Sequence, residues 1–141
     1  MKALEWAADC LRRLFPHQPL GRQGENAAAR FLRQRGYKIL ARGDRLEWGE
    51  LDLVALDQET VVFVEVKTRR GDAGHPAEAV DAVKQQRLTR LALAWLKRHG
   101  LLERPARFDV IAITAKDGCR SPVIQHFPNA FDAVGNWQYY G

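Results

Sequence analysis

Two apolar runs lie back to back in the chain, Gly49-Glu50-Leu51-Asp52-Leu53-Val54-Ala55-Leu56 and Val61-Val62-Phe63-Val64-Glu65-Val66-Lys67-Thr68, separated only by the polar step Asp57-Gln58-Glu59-Thr60. Short β-branched runs on either side of a turn this tight fold into a β-hairpin. Both faces of each run are largely apolar, which is the pattern of interior strands in a sheet covered on two sides. The covering layers must be helices from the rest of the chain, and the segments on either side of the hairpin have that periodicity.

Before the hairpin, Leu4, Ala7, Ala8, Leu11, Leu14 and Phe15 recur at three-to-four spacing and predict a short amphipathic helix over 3–15, ended by Pro16 and Pro19. A second helix is expected from Gly21 to about Arg35, with Gly36 as its stop, and a short strand over Tyr37–Arg42. After the hairpin, Arg69 to His75 reads as a loop. Pro76 then heads a long helix over Ala77–Arg98, with Val80, Val83, Leu88, Leu91 and Trp95 as its apolar stripe. Strands are expected over Phe108–Thr114 and Val123–Phe127. This order gives an α/β fold, a central mixed β-sheet flanked by α-helices. The 141 residues suit one domain over 21–131, with an N-terminal helix and linker over 1–20 and a C-terminal tail over 132–141.

Charge is distributed unevenly. Residues 1–45 hold ten Lys/Arg against four Asp/Glu, a balance of +6, and the remainder hold twelve against thirteen, or −1. Sixteen of the 22 basic residues are arginine, whose planar fork suits phosphate, so a nucleic acid is the expected partner and a solvated surface is the competing reading. No apolar run approaches the ~20 residues that span a bilayer. Charged Glu5, Asp9, Arg12 and Arg13 break the first twenty residues as an export signal, which predicts a cytoplasmic protein without a membrane partner. Cys10 and Cys119 lack partners at metal-ligand spacing, and His17, His75, His99 and His126 are scattered singly, so neither a zinc site nor a disulfide framework is indicated.

With the hairpin turn centred between Gln58 and Glu59, facing residues have numbers summing to 117. Asp52 then lies opposite Glu65 and Glu50 opposite Lys67, on the face of Val54 and Phe63, while Leu51 and Leu53 share the other face. Two carboxylates across a strand pair repel unless a proton or cation neutralises them. Oxygen ligands from neighbouring strands, completed by water, are what Mg²⁺ (or Mn²⁺) uses when it also meets a phosphate. Lys67, on the same side, is placed to align or deprotonate an attacking water. This is a layout for phosphodiester cleavage, with an exposed ion-pair ladder of Glu50, Lys67, Asp52 and Glu65 as the alternative. Glu25 borders the inward stripe of its helix through Ala28, Ala29 and Leu32, and either joins this group or simply favours the positive end of the helix.

The ordered motifs Gly24-Glu25, Gly49-Glu50-Leu51-Asp52-Leu53-Val54-Ala55, Val64-Glu65-Val66-Lys67-Thr68-Arg69, Pro76-Ala77-Glu78-Ala79-Val80, Arg107-Phe108-Asp109-Val110 and Asn129-Ala130-Phe131 resemble the YraN family of small bacterial proteins over about residues 21–131. Its members are similar to the restriction-endonuclease-like superfamily and to archaeal Holliday junction resolvases. The resemblance implies a restriction-endonuclease-like fold, with Asp52 and Glu65 as metal ligands, Lys67 as the catalytic lysine and Glu25 as the helix-borne acid. It also implies a homodimer. The expected activity is that of a Mg²⁺-dependent endonuclease on DNA, branched DNA among its forms, with Arg22, Arg30, Arg33, Arg69 and Arg70 on backbone phosphates. A nucleic-acid-binding module without catalysis is the alternative.

Overall fold

The computed structural model describes residues 20–70, 80–115 and 122–134. Helix α1 spans Leu20–Gln34, and strands β1 Lys38–Leu46, β2 Gly49–Asp57 and β3 Thr60–Arg70 follow as a meander. Helix α2, Ala82–Arg98, then crosses to β4, Ala106–Ala115, and β5, Val123–Phe131, closes the chain of elements. The five strands lie in sequence order, antiparallel except for the β3–β4 pair, which is parallel. A parallel pair requires a crossover, and α2 supplies it. The result is an α/β, restriction-endonuclease-like arrangement with one helix on each face of a mixed sheet.

Each face has its own core. On the α1 side, Ala27, Ala28, Ala29 and Leu32 pack on Leu53, Ala55, Val62, Val64, Ile111 and Ile113. Alanines along that helix bring its axis close to the sheet. On the α2 side, Leu88, Leu91, Ala92, Trp95 and Leu96 pack on Val54, Phe63, Phe108 and Val110. The buried indole N–H of Trp95 donates to Asp44 Oδ2 at 2.9 Å, which ties α2 to β1.

The expected 117 register of β2 on β3 holds, with Leu53↔Val64, Val54↔Phe63 and Leu56↔Val61 paired. Other expectations need correction. The long helix does not begin at Ala77. Asp81, at φ −70° and ψ 171°, is extended and caps Ala82–Arg98 by accepting the Lys84 N–H at 2.8 Å. Val83, placed on the apolar stripe by spacing, is 77% exposed. The stripe is set by Leu88, Leu91 and Trp95, and five residues before Leu88 is nearly the opposite side of the helix. Strand β1 runs on to Leu46, and β5 continues through Pro128 to Phe131. The predicted 3–15 helix, the Arg69–His75 loop beyond Arg70, and both cysteines lie outside the described residues.

Candidate functional site

The β2–β3 ladder ends at Leu53↔Val64. One residue further along β2, the Asp52 side chain rather than its backbone takes the next hydrogen bond, accepting the Val66 N–H at 2.9 Å on Oδ2. The strands part here, and alternation breaks with them. Leu51 joins the α2-side core of Val54 and Phe63 instead of sharing the face of Leu53, a correction to the strict two-residue period. Asp52 therefore sits in the gap, within reach of groups from both layers.

From the α1 side comes Glu25. The helix approaches β3 closely at Gly24, where a Cβ would lie 3.4 Å from Thr68 Oγ1 and 3.7 Å from Val66 Cγ1. That approach holds Glu25 only 9% exposed, inside the site rather than at a solvated helix end. Ligand oxygens of Glu25, Glu50 and Asp52 all lie within 4.8 Å of one another. Glu50 is thus the acid that sequence reasoning placed opposite Lys67 and left out of the ligand set. Its available signal was its position two residues before Asp52 on the same strand. The exposed Arg45 guanidinium stands 3.7 Å from its carboxylate.

Glu65 faces the α2 side, beside Asp52, and is met there by two ammonium groups. Lys84 Nζ lies 2.5 Å and Lys67 Nζ 3.6 Å from Glu65 Oε1. Lys84 was missed by the sequence reading. It lies four residues before Leu88, hence on the inward stripe of α2, and a lysine in that phase was the signal.

The electrostatics reflect a surplus of buried negative charge. Burial first, then the Glu65 charge, push Asp52 up to about 7, against the opposing Val66 hydrogen bond. Glu25 is pushed up to about 7 by burial and by Glu50, with Arg22 opposing. Burial lowers Lys67, and the neighbouring Lys84 ammonium lowers it further. For Lys84 burial acts in the same direction, but Glu65 outweighs it and holds the ammonium above its ordinary value. Hard oxygen donors, crowded and short of positive charge, fit a divalent cation of the Mg²⁺ class. Beneath them, between Asp52, Glu65, Leu88 and Phe131, is a void of only about 10 Å³. That holds no more than a water molecule.

The arginines expected on phosphates are dispersed. Arg22 is exposed and next to Glu25; Arg30 and Arg33 are exposed farther along α1, one residue past Ala29 and one past Leu32, which both pack on the sheet. Arg69 and Arg70 extend β3 beyond Lys67, and their side chains lie outside the described residues.

A second polar cluster was not anticipated at all. Asp109, fully buried in β4, accepts from Arg107 Nε at 3.0 Å and the Asn129 N–H at 2.9 Å, and its Oδ2 lies 2.7 Å from His126 Nε2. Arg107 continues to Asp57 Oδ2 at 3.0 Å and the Tyr37 hydroxyl at 2.8 Å. An acid and a base flanking Phe108 in an otherwise apolar strand were the sequence signal.

Among the described residues, no helix is long and apolar enough to cross a membrane. The model of the family described as "Uncharacterised protein family UPF0102" matches residues 24–113, a stretch containing Glu25, Glu50, Asp52, Glu65, Lys67 and Lys84. A UPF0102 protein of Nocardia farcinica is 49% identical over 126 residues, covering 89% of this chain and 98% of that protein. One from Anaeromyxobacter dehalogenans is 48% identical over 119 residues, 84% of this chain and 87% of its own length. A third, from Geotalea uraniireducens, is 45% identical over 117 residues, 82% and 91% of the two chains. With the family match running from α1 into β4, and relatives this similar over most of their length, the chain belongs to the UPF0102 (YraN) family.

Proposed function

We propose that this chain is a divalent-cation-dependent endonuclease that hydrolyses phosphodiester bonds of DNA, branched DNA included. The observation that carries the reading is the meeting of Asp52, Glu65 and Lys67 where β2 leaves β3, with Glu25 and Glu50 closing on Asp52 within 4.8 Å. Asp52 and Glu65 would hold the cation, with Glu25 and Glu50 beside them. When bound, Mg²⁺ or Mn²⁺ would polarise the phosphoryl oxygen and lower the pKa of a coordinated water. The chain's own residues do the rest. The Val66 N–H fixes the Asp52 carboxylate, Lys84 fixes Glu65, and Lys67 Nζ is left to orient the attacking water and to face phosphate charge. Arg22, Arg30, Arg33, Arg69 and Arg70 are the proposed backbone contacts, which makes binding salt-sensitive.

The test is a cleavage panel of plasmid, linear duplex, single strand, four-way junction and RNA, with Mg²⁺, Mn²⁺ or EDTA. Cutting is expected with either metal and none with EDTA, and Lys67→Ala should lose cutting while retaining binding. No cleavage of any form by wild type would end the enzymatic reading. One observation favours a second reading, a nucleic-acid-binding module without catalysis: Lys84 and Lys67 already neutralise Glu65 without a metal. On that reading Asp52→Ala leaves binding unchanged and metal adds no cleavage.

A further inference from the structure

Trp48 belongs to neither core. It stands in the turn between β1 and β2 with its side chain 55% exposed, and the Arg90 guanidinium carbon lies 5.5 Å from its ring centroid. An indole left to solvent contributes little to folding, and this one is set in basic surroundings. Val83, Arg87 and Arg90 follow one another at i, i+4 and i+7 on the outward side of α2, all exposed. Arg45, 83% exposed at its side chain, lies on the strand leading into the turn. The acids beside the turn on the same hairpin are Glu47, Glu50, which faces Arg45 at 3.7 Å, and Asp44, whose carboxylate accepts the Trp95 indole N–H. The stripe begins beside Lys84, which holds Glu65, and reaches Trp48, two residues before Glu50. From Trp48 to Asp52 is four residues of extended chain, about 13 Å. An aromatic face, a guanidinium against it and positive charge leading to buried carboxylates are complementary to a nucleotide strand passing over the site.

We infer that Trp48, backed by Arg90, is a stacking platform for an unpaired nucleobase, so that the nucleic acid taken by this site has single-stranded character beside the bond presented to Asp52 and Glu65. Bases inside a duplex are already stacked on both faces and have none to offer, whereas an unpaired base does. The inference takes the polymer class from the nuclease reading and does not depend on cleavage.

The experiment is binding of the full chain in EDTA to three labelled oligonucleotides of equal length: a dT single strand, its blunt duplex with dA, and an abasic single strand. Wild type, Trp48→Ala, Trp48→Phe and Arg90→Gln are compared by anisotropy. The wild type should prefer the dT strand, and Trp48→Ala should weaken that complex about 5- to 100-fold, the loss of one stacked base. Trp48→Phe should recover most of the affinity, and Arg90→Gln should fall between. Duplex and abasic strand should bind equally to wild type and Trp48→Ala, and indole emission should be quenched by dT in wild type but not in Trp48→Phe. An equal loss on all three probes, or none on any, overturns the platform while the nuclease reading stands; an intact Trp48 surface would then point to a protein partner. Absence of binding to every probe by wild type overturns the platform, and the nuclease reading is then decided by the metal-dependent cleavage panel. Because Trp48 lies outside both cores, an unchanged melting temperature in Trp48→Ala guards against misfolding.

Discussion

Gly43 lies between the pairs Arg42↔Leu53 and Asp44↔Leu51, so it faces Asp52 across the β1–β2 ladder. Its φ of 57° is left-handed, and a Cβ there would sit 3.1 Å from Glu25 Oε2 and 3.4 Å from Glu50 Oε1. The missing side chain is therefore what lets two carboxylates close over a third. Gly43→Ala should cost roughly 1–2 kcal/mol from the backbone alone, read from urea unfolding, and should also weaken Mn²⁺ binding by pushing Glu25 and Glu50 apart. An alanine variant that binds Mn²⁺ as wild type does would remove this role from Gly43. Lys84 acts at the same scale. Its ammonium and that of Lys67 share one oxygen of a nearly buried carboxylate. Lys84→Met, which keeps the stem and removes the charge, should cost about 1.5–3 kcal/mol, the range for a hydrogen bond to a charged group. Measured in EDTA, that loss should shrink when Mn²⁺ is added, since the cation then neutralises Glu65; a loss indifferent to metal would place Glu65 outside the cation site.

Elements differ in how much of their position the sequence carries. The β2–β3 register was legible because a two-residue period on both strands and a short polar turn leave one alignment that buries Leu53, Val54, Phe63 and Val64 together. The nearness of Asp52 to Glu65, one step beyond the last paired residues, followed from it. What did not follow was the parting of the strands at Asp52, which depends on the carboxylate competing for the Val66 N–H, a contact no periodicity encodes. Lys84 reaches Glu65 only because α2 docks with Leu88 inward, and Val83 faces out for the same reason. Asp109 was read as one residue of a plain strand. In the fold, β5 bulges opposite it, Asn129 takes φ 50°, and the carboxylate accepts the N–H which that irregularity frees. Burial would raise the Asp109 carboxyl, but hydrogen bonds from His126, Arg107 and the Asn129 N–H outweigh it, and the group lies below its ordinary value. Its contribution to stability is therefore complete above the ordinary carboxylate range and is lost as pH falls through the depressed native value. Asp109→Asn, which leaves Arg107 without its buried partner, should cost about 3–5 kcal/mol at pH 7. The cost should diminish toward pH 2 in a urea series, and a penalty constant with pH would mean that shape rather than charge holds β4 to β5.

At the scale of the whole molecule, two charge clusters of opposite character share one sheet. The Arg107–Asp109 network satisfies its charges internally, while the Glu25–Glu50–Asp52 group does not, and only the second is short of a cation. Their consequences for stability have opposite signs. Asp52 and Glu25 titrate near 7 in the fold but at 3.8 and 4.5 as ordinary groups, so between those limits the folded chain binds more protons than the unfolded one. Stability from this cluster therefore falls as pH rises from about 4 to 7, and the penalty is complete above 7. On the proposed reading a divalent cation would bind the ionised carboxylates and remove that penalty, whereas at low pH it would first have to displace protons. Wild type in EDTA should melt at a lower temperature at pH 8 than at pH 6. Addition of Mg²⁺ or Mn²⁺ in excess of its dissociation constant should raise the melting temperature markedly at pH 8 and little at pH 5.5, as mass action requires for a ligand of the native state alone. Asp52→Asn carries no charge to neutralise, so it should melt higher than wild type in EDTA at pH 8 and respond less to metal. A metal response of equal size at both pH values, or one undiminished in Asp52→Asn, would locate the cation away from the gap between β2 and β3.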